Sequence, residues 1–456
     1  MIDHPLVGRT VRIGRNRRVL QLDTLVHEYP GKRLIFRGHL DDGTPVAAKF
    51  YLGFLRQTWE WFRGLRGARL LQVSGVPAPK LHHAGYCREA TAWLTVLEWI
   101  DADEPWPPST CPLARADHSR LIDAIVVHHE YGVVQNDMNW QNFVPRSGQL
   151  YTVDTNRLRR YLAPLGRRAS LAHLVRVYAS KSGIPEDELR WAYSSYCEAR
   201  GWQPDVSEES QLLKRIRRAR VAQACKVARR AARGWKHYGR SSAGEYDLLF
   251  DRRNLSRDMV VTIAKKLSES RQPGPVSAAP VPPGYSVRAI PEPGNTPLGP
   301  ALSWLRPARA MTQAWMTILT LRRLGFSVPQ SAALVHHRER GLTWLVSESI
   351  DNARPLHTLG ETDADDRDRA VAALRELLEN MQRYRIGHRD WSLGALGWDG
   401  ERIWLLDVGN VRFVPWYLPG FERRWRREIQ QLVNALAVSL QTSPEALRLR
   451  LDPRVS

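Results

Sequence analysis

The sequence predicts an α+β fold that is built twice, in two tandem domains that each combine a small β-rich lobe with a helical lobe. Its 456 residues exceed what one compact core usually holds and suit two domains. A Pro-, Gly- and Ser-rich stretch from Ser268 to Pro300 cannot sustain a long helix or a central strand. We therefore predict domains at residues 1–267 and 301–456, joined by a linker at 268–300.

The first domain begins with β-rich runs and then alternates helix and strand. The predicted elements are strands at 33–40 and 44–50, a helix at 56–74, a strand at 92–100 and a helix at 119–131. Asp41-Asp42-Gly43 joins the first two strands, and Gly43 supplies the positive φ of a tight turn. Gly75 and Pro77 end the first helix. This order gives a small β-rich lobe followed by the start of a helical lobe.

An internal repeat supports the second copy of this fold. Landmarks in the first half recur in the same order at an offset of about 250 residues. The pairs are Gly75 and Pro77 with Gly325 and Pro329, Glu98-Trp99-Ile100-Asp101 with Glu348-Ser349-Ile350-Asp351, and Asp137 and Asp154 with Asp390 and Asp407. The alternative is two unrelated α/β domains that share Gly-Pro turns and acidic residues.

Net charge and cysteine spacing limit the possible binding partners of the chain and the cellular compartment in which it is expected. A net charge of +20 predicts attraction to nucleic acid, anionic lipid or phosphorylated substrates. The cysteines, which lack disulfide or zinc-site spacing, indicate a reducing compartment, and we expect a cytoplasmic protein. They are Cys87, Cys111, Cys197 and Cys225. We find neither a secretory signal nor an apolar run of membrane-spanning length.

One strand lysine and one helix carboxylate are candidates for phosphate binding. Val46-Ala47-Ala48-Lys49 ends a predicted strand, and alternation could direct the Lys49 ammonium toward phosphate oxygens. Glu60 is the only carboxylate between Arg56 and Ser74, and could hold that ammonium in place. The alternative for both residues is a solvated surface.

The segment 133–144 carries the most specific pattern in the chain. Asp137 stands five residues before Asn142 in a polar loop between hydrophobic pairs, a spacing that lets one group orient a nucleophile while the other ligates metal. Asp154 follows the short apolar run 150–153 and could bridge Mg²⁺ to phosphate oxygens. The alternative is that these polar residues cap turns.

These pieces together resemble the lipopolysaccharide core sugar kinases, the Kdo and heptose kinases, which have a protein-kinase-like fold. The resemblance covers roughly residues 8 to 200. Its motifs are the Val-Ala-Ala-Lys strand, the turn 75–79, the Asp-x-Asn-x-x-Asn loop at 137–142 and Val153-Asp154-Thr155-Asn156-Arg157. It implies a kinase that uses ATP and Mg²⁺ to phosphorylate a sugar hydroxyl of the lipopolysaccharide inner core.

The resemblance also implies a role for each site residue. Lys49 would bind ATP phosphates and pair with Glu60, Asp137 would act as catalytic base, and Asn142 with Asp154 would hold magnesium. Gly31, Glu98 and Ile100 are further candidates for contacting the nucleotide. The sequence departs from the family in two places, because Gln135-Asn136 replaces the His before the catalytic Asp and no Gly-rich loop precedes the hairpin.

The second half predicts a degenerate, non-catalytic copy. His388-Arg389-Asp390 and Asp407-Val408-Gly409 have the kinase pattern, but Ala395 stands where the metal-binding Asn should be. No lysine follows Lys266, so Arg288 in the strand-like run 285–290 is the nearest substitute for the strand lysine.

The segment 212–240 mixes basic and apolar residues at helical spacing, which suits an anionic membrane surface or a phosphorylated glycolipid. A solvated face packed on the helical lobe is the alternative, and no motif favours nucleic acid. The sequence thus predicts a cytoplasmic kinase, peripheral at the inner-membrane face. Two alternatives remain open: a small-molecule phosphotransferase of the aminoglycoside or choline kinase type, and a pseudokinase scaffold in envelope assembly.

Overall fold

The computed structural model describes residues 4–14, 17–53, 55–106, 114–137, 139–181, 183–269, 281–290 and 307–451. Its contacts divide the chain into two units, Met1–Ile216 and Arg217–Ser456. The described residues have a mixed α+β structure, as the sequence predicts. The two units are called the first and the second unit below.

The first unit opens with a six-stranded antiparallel sheet in the order β1-β2-β3-β4-β6-β5. The strands are β1 Thr10–Ile13, β2 Arg18–Tyr29, β3 Arg33–Leu40, β4 Pro45–Tyr51, β5 Leu81–Cys87 and β6 Ala92–Glu98. The predicted hairpin is confirmed by β3 and β4, and Gly43 in its turn has φ +78°. Alternation along β4 buries Val46, Ala48 and Phe50 in the core of the sheet, which leaves Lys49 on the other face.

Helices and short hairpins follow the sheet in the first unit. The helices are α1 Leu55–Ser74, α2 Arg115–Glu130, α3 Arg167–Ala179, α4 Glu186–Ala199 and α5 Val206–Ala231, which continues into the second unit. The short strands are β7 Val133–Gln135, β8 Phe143–Arg146, β9 Gln149–Thr152 and β10 Leu158–Arg160. Strand β7 pairs with β10 and β8 with β9, so two loops lie side by side, 136–142 after β7 and 153–157 before β10.

The second unit contains a five-stranded sheet in the order β11-β12-β14-β15-β13. Its sheet and neighbouring helices are β11 Tyr238–Ala243, β12 Tyr246–Asp251, α6 Arg257–Glu269, β13 Tyr285–Ile290, α7 Pro307–Arg323, β14 Ser331–His337 and β15 Leu342–Glu348. The remaining elements are β16 Arg354–Pro355, α8 Ala364–Arg383, β17 Ile386–His388, β18 Leu396–Trp398, β19 Ile403–Leu405, β20 Val411–Phe413, α9 Phe421–Ser439 and α10 Pro444–Leu451.

The predicted boundary at 267/268 lies inside the second unit. Strand β12 pairs with β14 from Tyr246 to Phe250, so the segment before residue 268 completes the second sheet. The predicted linker 268–300 contains β13, which pairs with β15 at the sheet edge. Residues 270–280 and 291–300 of that linker lie outside the described residues. A Pro-rich composition indicates a connection but does not show which strands pair. The sequence therefore could not show that this connection lies within the second sheet.

The basic segment 212–240 does not form the single helix that the sequence predicts. Helix α5 ends at Ala231, and residues 238–240 belong to β11. Apolar side chains of α5 are buried in the cores of the units, which leaves them unable to enter a membrane surface. They are Leu212, Leu213, Ile216, Ala224, Ala228 and Ala231. The structure therefore removes the amphipathic-helix argument for membrane binding.

Candidate active site

Lys49 projects from β4 toward the loop that follows β9. In the sheet it lies opposite Ile35 on one side and Thr95 on the other, and its Nζ atom donates to the carbonyl oxygen of Val153 at 3.2 Å. Burial lowers the pKa of Lys49, the neighbouring Asp154 carboxylate opposes this, and the Arg33 guanidinium adds to it. A cation in this position suits phosphate binding.

Glu60 does not form the predicted ion pair with Lys49. Its carboxylate lies 3.7 Å from Arg63, one turn further along α1, and it is about one third exposed. The position of Glu60 in the chain suggested a partner for Lys49, but the carboxylate lies beside Arg63, three residues along the same helix. The two predicted phosphate-binding residues are therefore not joined directly.

The loop after β7 holds Asp137 and Asn142 against the chain that leads to Asp154. Asn142 ends a 3₁₀ turn, and its Nδ2 atom donates to the carbonyl oxygen of Asp137 at 2.9 Å. The backbone N–H of Val153 donates to the carbonyl oxygen of Asn142, also at 2.9 Å. Because Lys49 bonds to Val153 as well, one hydrogen-bonded network contains Lys49, Asp137 and Asn142.

Gln135 fixes the position of Asp154 in this network. Its buried amide donates from Nε2 to the carbonyl oxygen of Asp154 at 3.1 Å. The Asp154 carboxylate accepts the backbone N–H of Asn156 at 3.0 Å, which tightens the turn after it. The residue that the sequence marked as a departure from the family pattern thus supports the loop that carries Asp154.

The side chain of Asp137 is largely exposed and lies 3.3 Å from the guanidinium of Arg157. Arg157 has φ +66°, a left-handed conformation that costs a non-glycine residue about 1 kcal/mol. Asn136 donates to the carbonyl oxygen of Arg157 from its backbone N–H at 3.1 Å and from its side chain at 3.3 Å. These bonds hold Arg157 beside Asp137.

A buried row of neutral side chains supports the loop from behind. The two His129 ring nitrogens lie 2.7 Å from the Tyr196 hydroxyl and from Nδ1 of His173. His173 in turn contacts the carbonyl oxygen of Gln135 at 3.0 Å. Burial lowers the pKa of His129 to about 2 and that of His173 to about 4, so both rings are neutral at pH 7.

The three remaining predicted nucleotide contacts lie apart from the loop network. Gly31 has φ +64° in the turn between β2 and β3. Glu98 ends β6, and its carboxylate accepts from Arg146 at 2.8 Å and from the backbone N–H of Lys80 at 3.2 Å. Burial raises the pKa of Glu98, but these hydrogen bonds outweigh it and the pKa falls below the usual value. Ile100 is buried just after β6.

Two glycines let α1 pack closely on the segment that follows Asp154. A methyl group at Gly67 would overlap the carbonyl oxygen of Thr155. A methyl group at Gly64 would lie 2.8 Å from Oδ1 of Asn156 and 2.9 Å from the Tyr51 hydroxyl. The position of the Asp154 loop is therefore coupled to α1 through direct contact.

A magnesium ion at this site would depend on few protein ligands. No cluster of three or more His, Cys, Asp or Glu side chains suited to a metal occurs within the described ranges. The Asp154 carboxylate and the Oδ1 atom of Asn142 are oxygen ligands of the type that Mg²⁺ prefers. Such an ion usually takes its other ligands from water and substrate phosphates, so this donor set fits it.

The second unit repeats the same hydrogen bonds with different side chains. Arg288 occupies the β13 position opposite Leu345 and donates to the carbonyl oxygen of Leu406 at 2.6 Å, as Lys49 does to Val153. The His388 ring lies 3.0 Å from the carbonyl oxygen of Asp407, as the Gln135 amide does from that of Asp154. The internal repeat is thus visible in the arrangement of the loops.

A cleft beside Arg288 in the second unit is small. Its volume is about 160 Å³, and its lining includes Glu348, Ile350, Leu406 and Val408. Sites for cofactors and drug-sized ligands usually measure about 300 to 1,000 Å³. Ala395 replaces Asn142 at the end of the equivalent 3₁₀ turn, so the amide oxygen that could ligate a metal is missing as well.

Sequence reasoning quoted Arg157 in a motif but did not predict its contact with Asp137, and it missed the supporting role of Gln135. The alignment of Gln135 with His388, each two residues before the key Asp, was the available signal.

No family model matches the chain, and no curated protein is significantly similar to it. Among the described helices, none is both long and apolar enough to cross a bilayer.

Proposed function

We propose that the first unit is a phosphotransferase that passes the γ-phosphate of ATP to a hydroxyl group, with Mg²⁺ as cofactor. The observation that carries the proposal is the set of side chains that the network brings together, the Lys49 ammonium and the Asn142 amide beside Asp137. The second unit keeps the backbone bonds but has Arg288 and Ala395 in place of Lys49 and Asn142. Such a transfer needs a cation for the phosphates, oxygen ligands for the metal and a carboxylate for the attacking hydroxyl. The first unit has each of these around one pair of loops.

Each residue has a defined part in this proposal. Lys49 binds phosphate oxygens, and Asp154 and Asn142 hold the metal, which neutralises phosphate charge when bound. Asp137 orients the acceptor hydroxyl and takes its proton, a part that suits its exposed carboxylate. The acceptor that we propose is a sugar of the lipopolysaccharide inner core, which rests on the family resemblance of residues 8 to 200.

A scaffold without phosphoryl transfer is the second candidate function. It is favoured by one observation, that Glu60 pairs with Arg63 instead of Lys49. In protein kinases the ion pair between the strand lysine and the helix glutamate must be in place for activity. On this reading the loops of the first unit are structural, like those of the second.

Binding of Mg-ATP to the full chain distinguishes the two candidates. Calorimetry is performed on the wild type, Lys49→Ala and Asp154→Ala, followed by phosphate transfer to purified core glycolipid and to soluble aminoglycoside and choline acceptors. We expect binding and transfer in the wild type and a loss of both in the variants. A wild type that does not bind Mg-ATP would support the scaffold, and transfer only to the soluble acceptors would reject the glycolipid.

A further inference from the structure

A groove of about 810 Å³ lies in the first unit between α1 and the chain around β10. Five of its lining residues are arginines, and none of its described lining residues is acidic. The arginines are Arg63, Arg66, Arg157, Arg159 and Arg160. The groove is therefore a concentrated positive site, and we call it the arginine groove.

Most of this charge is not neutralised by the protein. Arg157 lies beside Asp137, and Arg63 lies 3.7 Å from Glu60. The other three side chains, those of Arg66, Arg159 and Arg160, are exposed and form no ion pair or side-chain hydrogen bond with the described residues. Like charges held this close repel one another, so a bound anion would relieve the repulsion.

One wall of the groove is aromatic. Trp59 and Phe62 stack with ring centroids 6.1 Å apart, yet they remain 60% and 49% exposed. Tyr161, 49% exposed, lines the groove near the end of β10. Exposed aromatic faces beside guanidinium groups suit a ligand that combines ring C–H surface with anionic substituents.

The groove reaches the candidate catalytic residue, because Arg157 lines it and also contacts Asp137. A ligand in the groove therefore lies on the acceptor side of the proposed reaction. The volume fits one ligand of drug-like size rather than a strand of several nucleotides.

The second unit does not preserve the arginine groove. Four of the five equivalent positions lack a cation, and the remaining arginine is bound internally by the buried Glu428. The equivalent residues on α7 and around β20 are Gln313, Met316, Asn410, Arg412 and Phe413. The groove thus belongs to the unit that carries Lys49 and Asn142, and it is not a general feature of the fold.

We propose that the arginine groove binds an acceptor sugar that already carries at least two phosphate groups. The forked donors of arginine match phosphate oxygens, and three unpaired guanidinium groups exceed what a single monoanion would neutralise. The reaction that supplies this substrate is then an earlier transfer of phosphate onto the same sugar. This inference rests on the proposed function for its assignment of the acceptor side, but binding to the groove needs no ATP.

Binding without ATP tests the groove separately from the proposed reaction. The probes are fructose 1,6-bisphosphate, unphosphorylated fructose, a thymidine oligonucleotide, and phosphatidylcholine vesicles with and without a bisphosphorylated glycolipid. The test variant is Arg66→Gln/Arg160→Gln. The control is Arg69→Gln/Arg168→Gln, which removes the same charge from exposed arginines on α1 and α3 that lie outside the groove.

We expect the sugar bisphosphate or the glycolipid vesicles to bind, with affinity about tenfold lower in the test variant and unchanged in the control. Whichever of these two probes binds identifies a soluble or a lipid-linked source. Equal loss in the control, equal binding of fructose, binding of neither phosphorylated probe, or tighter arginine-dependent binding of the oligonucleotide would overturn the proposal. Mg-ATP binding measured on the same samples tests the proposed function, so either can fail without the other.

Discussion

The two units build the same pair of loops with the same backbone hydrogen bonds, but the side chains on and around those loops differ in chemical type. In the first unit the backbone N–H of Val153 donates to the carbonyl oxygen of Asn142, the last residue of the 3₁₀ turn. In the second unit the backbone N–H of Leu406 donates to the carbonyl oxygen of Ala395 in the same way. This scaffold does not need the amide of Asn142. Retention of the loop geometry is therefore weak support for activity, and the differing side chains carry the functional argument.

The interior behind the loops differs in the same way. In the first unit it is a neutral row of His129, His173 and Tyr196. In the second unit an ion pair between the half-buried Arg412 and the buried Glu428 lies there, and Glu428 accepts the backbone N–H of His388 at 3.2 Å. The first unit therefore keeps charge out of this interior, whereas the second unit places an ion pair in it.

The largest expected effect tests the comparison at Asp137, the proposed catalytic carboxylate. Asp137→Asn keeps the size of the side chain but removes the proposed base, so we expect phosphate transfer to fall by roughly 10²- to 10⁴-fold while Mg-ATP binding remains. Single-turnover transfer from labelled ATP measures it. The matched control is Asp390→Asn at the equivalent position of the second unit, which should leave transfer unchanged. Equal losses in the two variants would contradict the assignment of activity to the first unit.

A smaller effect is expected from the contact between α1 and the Asp154 loop. In Gly67→Ala the added methyl group overlaps the carbonyl oxygen of Thr155, and we expect the free energy of unfolding to fall by about 2 to 3 kcal/mol. Urea unfolding measures it. Gly394→Ala is the control, because a methyl group there meets open space and Gln141 occupies the equivalent position of the first unit. An unchanged stability of Gly67→Ala would show that α1 can move away from the loop.

The sequence predicted the parts of this site that depend on local pattern. Lys49 follows from strand alternation, and Asp137, Asn142 and Asp154 follow from their spacing in loops next to short strands. The ion pair of Glu60 was wrong because the direction of a helix carboxylate depends on how the helix packs.

The arginine groove could not be predicted, because most of its lining comes from two segments, residues 59–70 and 157–161, that are far apart in the chain. Neither segment contains a recognisable groove motif by itself. The boundary between the units was misplaced for the related reason that strand pairing is not local. The same distance in sequence hid the histidine row, whose members come from α2, α3 and α4.

The smallest effect concerns the pH dependence of the first unit. Burial depresses the pKa of His129 to about 2 in the folded state, against 6.5 for the free side chain. Below about pH 6.5 the unfolded chain binds a proton that the folded ring does not accept. The contribution of His129 to the free energy of unfolding is therefore fully present above that pH and is lost as the pH falls. His128 and His173, with pKa values of about 3 and about 4, add to the same trend. His129→Gln introduces the residue found at the equivalent Gln382. It should reduce the loss of stability between about pH 7 and about pH 5 by about 2 kcal/mol.

Urea unfolding across this range measures the slope of stability against pH, which is independent of any constant cost of the substitution itself. His27→Gln is the control, because His27 is exposed on β2 and belongs to no buried row. A slope that stays the same in His129→Gln would mean that the row accepts protons without loss of packing. A slope that flattens in that variant alone would show that the neutral interior makes the first unit acid-sensitive.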